Sequence, residues 1–130
     1  MSRHLFAGLA AATVALAAPL AQAAPIQPFT MAALHAAQAQ GRAILVDVHA
    51  DWCPTCRAQA PTIDALSRDP AFGKLVILKL DYDKQRAEER SLGVRQQSTL
   101  IAFVGTRETG RLVGVTDPVR IRALAARALR

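Results

Sequence analysis

A chain of 130 residues is one domain's worth, and it carries no internal repeat, low-complexity tract or second domain. The formal charge of +6 raises the question of nucleic acid, but Arg42, Arg57, Arg68, Arg95, Arg107 and Arg120 stand singly, with no aromatic interleaving. The charge therefore reads as a solvated surface with a weak preference for acidic partner proteins or membrane headgroups, and a nucleic-acid partner is not expected.

The first 23 residues have the pattern of a cleaved export signal. Arg3 and His4 form a basic start, Leu5 to Ala18 is an uncharged run of 14 residues, and Ala21-Gln22-Ala23 is a small-x-small cleavage site. That run, closed by Pro19, is shorter than the roughly 18 apolar residues needed to span a bilayer. The expected mature domain is 24–130.

Ala24 to Phe29, with Pro25 and Pro28, reads as an extended lead-in. Thr30 is placed to cap a helix over Met31 to Gln40, with Ala33, Leu34 and Ala37 as its apolar side and Gly41 as its stop. Ala43 to His49 is an apolar, β-branched run of the kind that is buried on both faces of a sheet, with Asp47 as a carboxyl that needs a partner or a job. The next helix opens with Pro54 at its first position and is carried to about Ser67 by the apolar positions Ala58, Ile63, Ala65 and Leu66, with Pro61 as a kink. Leu75 to Tyr82 is a second strand carrying Lys79, and Asp83 to Leu92 a polar surface helix ended by Gly93. Leu100 to Val104 and Arg111 to Val115 form a hairpin across Gly105 to Gly110. Asp117 caps a last helix, Pro118 to Leu129, with Val119, Leu124, Ala125 and Leu129 as its core side. The order α-β-α-β-α-β-β-α predicts an α/β fold with a mixed sheet of four or five strands sandwiched by helices.

The stretch Asp51-Trp52-Cys53-Pro54-Thr55-Cys56-Arg57 holds both cysteines and the only tryptophan, where a strand ends and a helix begins. Unpaired N–H groups of the first helical turn and the macrodipole favour a thiolate at Cys53. A structural bridge would close only a short loop and add little by chain entropy. A metal site lacks partners: only His35 and His49 remain after cleavage, there is no second C-x-x-C, and Arg57 rather than a histidine follows Cys56. A redox dithiol is the leading reading. His49, four residues before Cys53 and on the strand face of Asp47, is either a proton donor near the dithiol or a packed core histidine.

From about Ala43 to the C-terminus the chain resembles the thioredoxin family. The resemblance rests on Leu45-Val46-Asp47 before Ala50-Asp51-Trp52-Cys53-Pro54-Thr55-Cys56-Arg57, on Pro61, Lys79-Leu80-Asp81, Gly93-Val94, Ser98-Thr99-Leu100-Ile101-Ala102-Phe103 and Gly114. It implies a thioredoxin fold and a thiol-disulfide oxidoreductase that acts on protein disulfides or dithiols as a monomer, with no cofactor beyond the Cys53–Cys56 disulfide and no metal. It makes Cys53 the attacking thiolate and Cys56 the resolving thiol, with Asp47, helped by Lys79, moving the proton of Cys56. Trp52 shields Cys53, and Trp52, Gln97, Ser98 and Thr99 face the substrate. With an export signal, the likeness is to periplasmic relatives, including the dithiol domain of the membrane-bound disulfide reductase. That implies a periplasmic reductant fed by a membrane-bound electron donor.

Two positions depart from the family. Ser98 stands where it has a cis-proline, so the Gln97-Ser98 loop is either strained or trans and differently shaped. Pro54-Thr55 replaces Gly-Pro, and with Arg57 and His49 it modulates the thiolate and its potential. A reading from another class is a non-enzymatic metal-binding module holding Cu(I), Zn(II) or an iron–sulfur centre at Cys53 and Cys56 across two chains. A third is a redox-inert adaptor.

Overall fold

The computed structural model describes Ala18 and residues 23–130. The predicted signal thus falls almost wholly outside the described residues. The elements are β1 (Ile26–Pro28), α1 (Met31–Ala39), β2 (Ala43–His49), α2 (Pro54–Arg68), a 3-10 turn (Pro70–Phe72), β3 (Leu75–Asp81), α3 (Arg86–Ser91), β4 (Thr99–Val104), β5 (Arg107–Val113) and α4 (Pro118–Arg127). Among the described residues no helix is long and apolar enough to cross a membrane.

Among the described residues one sheet of five strands runs in the order β1-β3-β2-β4-β5. β1, β3 and β2 are parallel, whereas β4 and β5 run antiparallel to their neighbours. The apolar run of β2 does place it in the middle, because a strand with Leu45 and Asp47 on one face and Ile44, Val46 and Val48 on the other can satisfy both only between two helical layers. α2 and α4 cover the first face through Ile63, Leu66, Ile121 and Leu124; α1 covers the second through Leu34 and Ala37.

Four local expectations are corrected. The lead-in contains β1, an edge strand whose Ile26 pairs with Ile77; its prolines are tolerated because one side of an edge strand needs no ladder donors. α3 starts only at Arg86, since Asp81 Oδ1 accepts from the backbone N–H groups of Asp83 and Lys84 and holds those residues in a turn. The hairpin turns at once: Val104 pairs with Arg107, with Gly105 at φ +54 in the turn and a bulge between Ala102 and Phe103. In α4 the buried face is Ile121, Leu124, Ala125 and Ala128, while Val119 is 74 % exposed, because the Asp117 cap sets the helical phase from Pro118.

Candidate active site

The strand-to-helix junction forms as the residue types require. Cys53 is the N-cap of α2, its backbone extended, and Pro54 occupies the first helical position, where no N–H is needed. The backbone N–H of Cys56 donates to Cys53 Sγ at 3.0 Å, so the sulfur takes the place that a capping oxygen has in other helices. An N–H aimed at the sulfur, with the positive end of a 15-residue helix behind it, favours the thiolate once the bond is open. Cys53 and Cys56 are joined in a disulfide, and both are buried, at 0 % and 1 % exposure. Cys56 Sγ lies 3.9 Å from the Val48 carbonyl oxygen.

Asp47 lies on the α2 side of the sheet, 5 % exposed, and pairs in register with Lys79 of β3. Burial pushes its carboxyl up to about 6 from 3.8, against the opposing pull of His49 and Lys79. Lys79 reaches solvent, and no ion pair within 4 Å joins it to Asp47 among the described residues. His49 shares the face of Asp47 but turns its Nε2 to Asp51, 3.2 Å from Oδ1. Arg57 is exposed and donates to the carbonyl of Asp51 at 3.0 Å, which ties the loop before Cys53 to the helix after it. Pro54 is exposed and Thr55 half-buried.

Trp52 is 55 % exposed, and its indole N–H donates to the Asp83 carboxylate at 2.9 Å. Tyr82 meets its ring edge to face, the Arg86 guanidinium stacks on Tyr82 at 4.3 Å, and Glu89 accepts from Arg86 at 3.2 Å. This brace was not legible beforehand, because Trp52 and Asp83 meet only through the pairing of β2 with β3 and the Asp81 turn.

The opposite loop takes the trans alternative: among the described residues no peptide bond is cis, and Ser98 adopts φ +57. A left-handed conformation costs a serine about 1 kcal/mol. Its hydrogen bonds hold it there: Ser98 N–H donates to Val48 O at 2.9 Å, Gly114 N–H donates to Ser98 O at 3.0 Å, and Ser98 Oγ donates to Gln97 O at 2.6 Å. Thr99 Oγ1 donates to Gln96 O at 2.8 Å. Gln59 of α2 also reaches this loop, and sequence reading missed it by following the apolar positions Ala58 and Ala65, which are exposed. The spacing Cys56, Gln59, Ile63, Leu66 carried the signal. Ser98→Pro, although it installs the family's residue, is expected to cost about 2 kcal/mol or more, because proline cannot take this φ or donate to Val48; thermal unfolding checks it.

Among the described residues no group of three or more histidine, cysteine or acidic side chains is gathered to hold a metal ion. The structure thus brings Cys53, Cys56, Asp47, Trp52, Ser98 and Thr99 together around the carboxyl end of β2. Lys79 stays at the solvent side of its strand.

The sequence matches the thioredoxin family over residues 27–127. It is 36 % identical over 74 residues to a thioredoxin of Chlamydia muridarum, covering 57 % of this chain and 71 % of that one. A thioredoxin of Pseudomonas aeruginosa is 34 % identical over 80 residues, covering 62 % of this chain and 73 % of its own. Among solved structures, Trxlp from Edwardsiella tarda superposes with a TM-score of 0.75 at 38 % identity, over 78 % of this chain and 98 % of that one.

Proposed function

The chain belongs to the thioredoxin family and is a thiol-disulfide oxidoreductase working through its own cysteine pair; on that premise we propose that it is an exported reductant of protein disulfides. The observation that carries this reading is the helix start itself, where Cys53 Sγ caps α2 and accepts the Cys56 N–H.

In the reduced form, Cys53 thiolate attacks one sulfur of a partner disulfide. A bond forms between the two sulfurs, and the partner's other sulfur leaves as a thiolate. Cys56 then gives its proton to the Asp47 carboxylate and attacks Cys53 Sγ, which releases the partner as a dithiol and leaves the Cys53–Cys56 disulfide. A carboxyl near 6 is ionised at neutral pH yet basic enough to take that proton. Lys79, in register with Asp47, favours the ionised carboxyl by its charge.

The partner polypeptide docks on the rim formed by exposed Trp52 and the Gln97-Ser98-Thr99 loop. Because both cysteines are buried as the disulfide, the donor that reduces it must open that rim before sulfur can meet sulfur. His49, Arg57, Pro54 and Thr55 set the polarity around the sulfurs. Electrons return from a membrane-bound donor, and the sequence of residues 1–23 supports the periplasm as the compartment. The protein works as a monomer.

Two measurements test this. Added to dithiothreitol and insulin, the protein is expected to accelerate insulin reduction severalfold over dithiothreitol alone; no acceleration would point to a redox-inert adaptor. N-terminal sequencing of the periplasmic fraction is expected to begin at Ala24, and recovery of intact Met1 in the cytoplasm would overturn export.

A further inference from the structure

Gln59 is the one fully buried amide side chain on the sheet-facing side of α2 among the described residues, at 0 % exposure. Burying an amide is unfavourable unless it is hydrogen-bonded, and an apolar side chain would suit that face of the helix better. Its Nε2 spends both protons on backbone: one on Ser98 O at 3.2 Å, the other on Val115 O at 2.9 Å. Its Oε1 is buried with no partner among the described residues. The amide is therefore kept for what its nitrogen holds.

What it holds is the loop in which this chain departs from its family. Ser98 sits at φ +57, and its carbonyl accepts from both Gly114 N–H and Gln59, which fills both lone pairs. Val115 follows immediately on Gly114, itself at φ +67, so the two acceptors of Gln59 lie on the two chain segments that meet beside the dithiol. One side chain thus ties the active-site helix to both the Ser98 loop and the segment that follows β5.

We propose that Gln59 is a positioning residue: it clamps the Ser98 loop in its left-handed shape, standing in for the ring constraint that a proline would supply, and so sets affinity for a protein disulfide rather than the sulfur chemistry. This rests on the reading that the dithiol serves protein partners.

Gln59→Met keeps the length and removes both donors. Steady-state reduction of insulin is compared with reduction of a small aromatic disulfide, 5,5′-dithiobis(2-nitrobenzoate), which does not need the loop. The KM for insulin is expected to rise about tenfold with kcat changed less than about twofold, so that the ratio of kcat/KM for insulin to that for the small disulfide falls about tenfold. Equal losses on both substrates, or no change on either, would overturn the clamp. Gln59→Glu adds a second readout that survives if the methionine variant folds poorly. A protonated glutamic acid can donate one of the two bonds and its carboxylate none, so the insulin KM of this variant is expected to climb with pH more steeply than that of the wild type. A profile parallel to wild type contradicts the proposal. Failure of the wild-type protein to reduce insulin while it still turns over the small disulfide would strike the protein-partner reading itself, and with it the clamp.

Discussion

Replacing Cys53 by serine is expected to lower protein-disulfide reduction to the uncatalysed background, a loss of at least about 10³-fold, because a serine hydroxyl at this helix start stays protonated where a thiol gives a thiolate. The variant should keep its fold, since the serine oxygen can still accept the Cys56 N–H that the sulfur accepts now. Cys56→Ser tests the other half of the exchange. Cys53 can still attack, but nothing resolves the product, so the mixed disulfide with a partner should accumulate and be visible as a species of added mass that reductant removes. If Cys53→Ser stays active and Cys56→Ser does not, the two roles are reversed.

Asp47→Asn is expected to make the protein more stable and less active. The carboxyl holds its proton more tightly folded, near 6, than unfolded, at 3.8, because burial disfavours the charge. Below 3.8 it is neutral in both states and the penalty is absent. Between 3.8 and about 6 the unfolded chain gains by ionising while the folded one does not, so stability falls; above about 6 the full penalty persists. The rise from 3.8 to about 6 corresponds to about 3 kcal/mol at 1.36 kcal/mol per pH unit. Asparagine removes that penalty, so the variant should melt on the order of 10 °C higher at pH 8 and show little difference near pH 3.5. At the same time the resolving step should slow on the order of 10²-fold, for want of an acceptor for the Cys56 proton. The wild-type rate of that step should fall as pH drops through about 6, and the variant should lack this inflection. Melting curves at the two pH values, with stopped-flow release of a trapped partner, check both halves. A pH-independent stability difference would mean that Asp47 is not a destabilising buried acid, and an unchanged release rate would leave it without a role in proton transfer.

The central part of this fold was legible because its signals are local. An apolar β-branched run announces β2, and Pro54 one residue after Cys53 announces the helix start; both act within one element and need no knowledge of what packs against it. Asp47 stood out for the same reason, as a charge in a run that tolerates none.

What could not be read depends on pairing. β1 is three residues long with a proline at its end, and it becomes a strand only because β3 offers an unpaired edge. The hairpin connection is shorter than Gly105 to Gly110, since Gly110 lies inside β5 and the two residues Gly105 and Thr106 make the turn. The phase of α4 follows its cap rather than its largest side chains, so Val119 stays in water and Ala128 goes inside. In α2 the apolar Ala58 and Ala65 face water while Gln59 and Thr62 are buried; the helix turns them to the sheet, and the Ser98 and Val115 carbonyls make room for the amide. Ser98 itself was recognised as a departure, but its left-handed φ is a property of a loop held by Val48 and Gly114, neither of which is its neighbour in sequence.

The reduction potential of the Cys53–Cys56 couple, measured by equilibration with glutathione or a thioredoxin of known potential, bears most directly on the direction of electron flow. A reductant of protein disulfides is expected to lie near the thioredoxin value of about −270 mV, and a value near the strongly oxidising end, about −120 mV, would contradict that role and make the protein a disulfide donor.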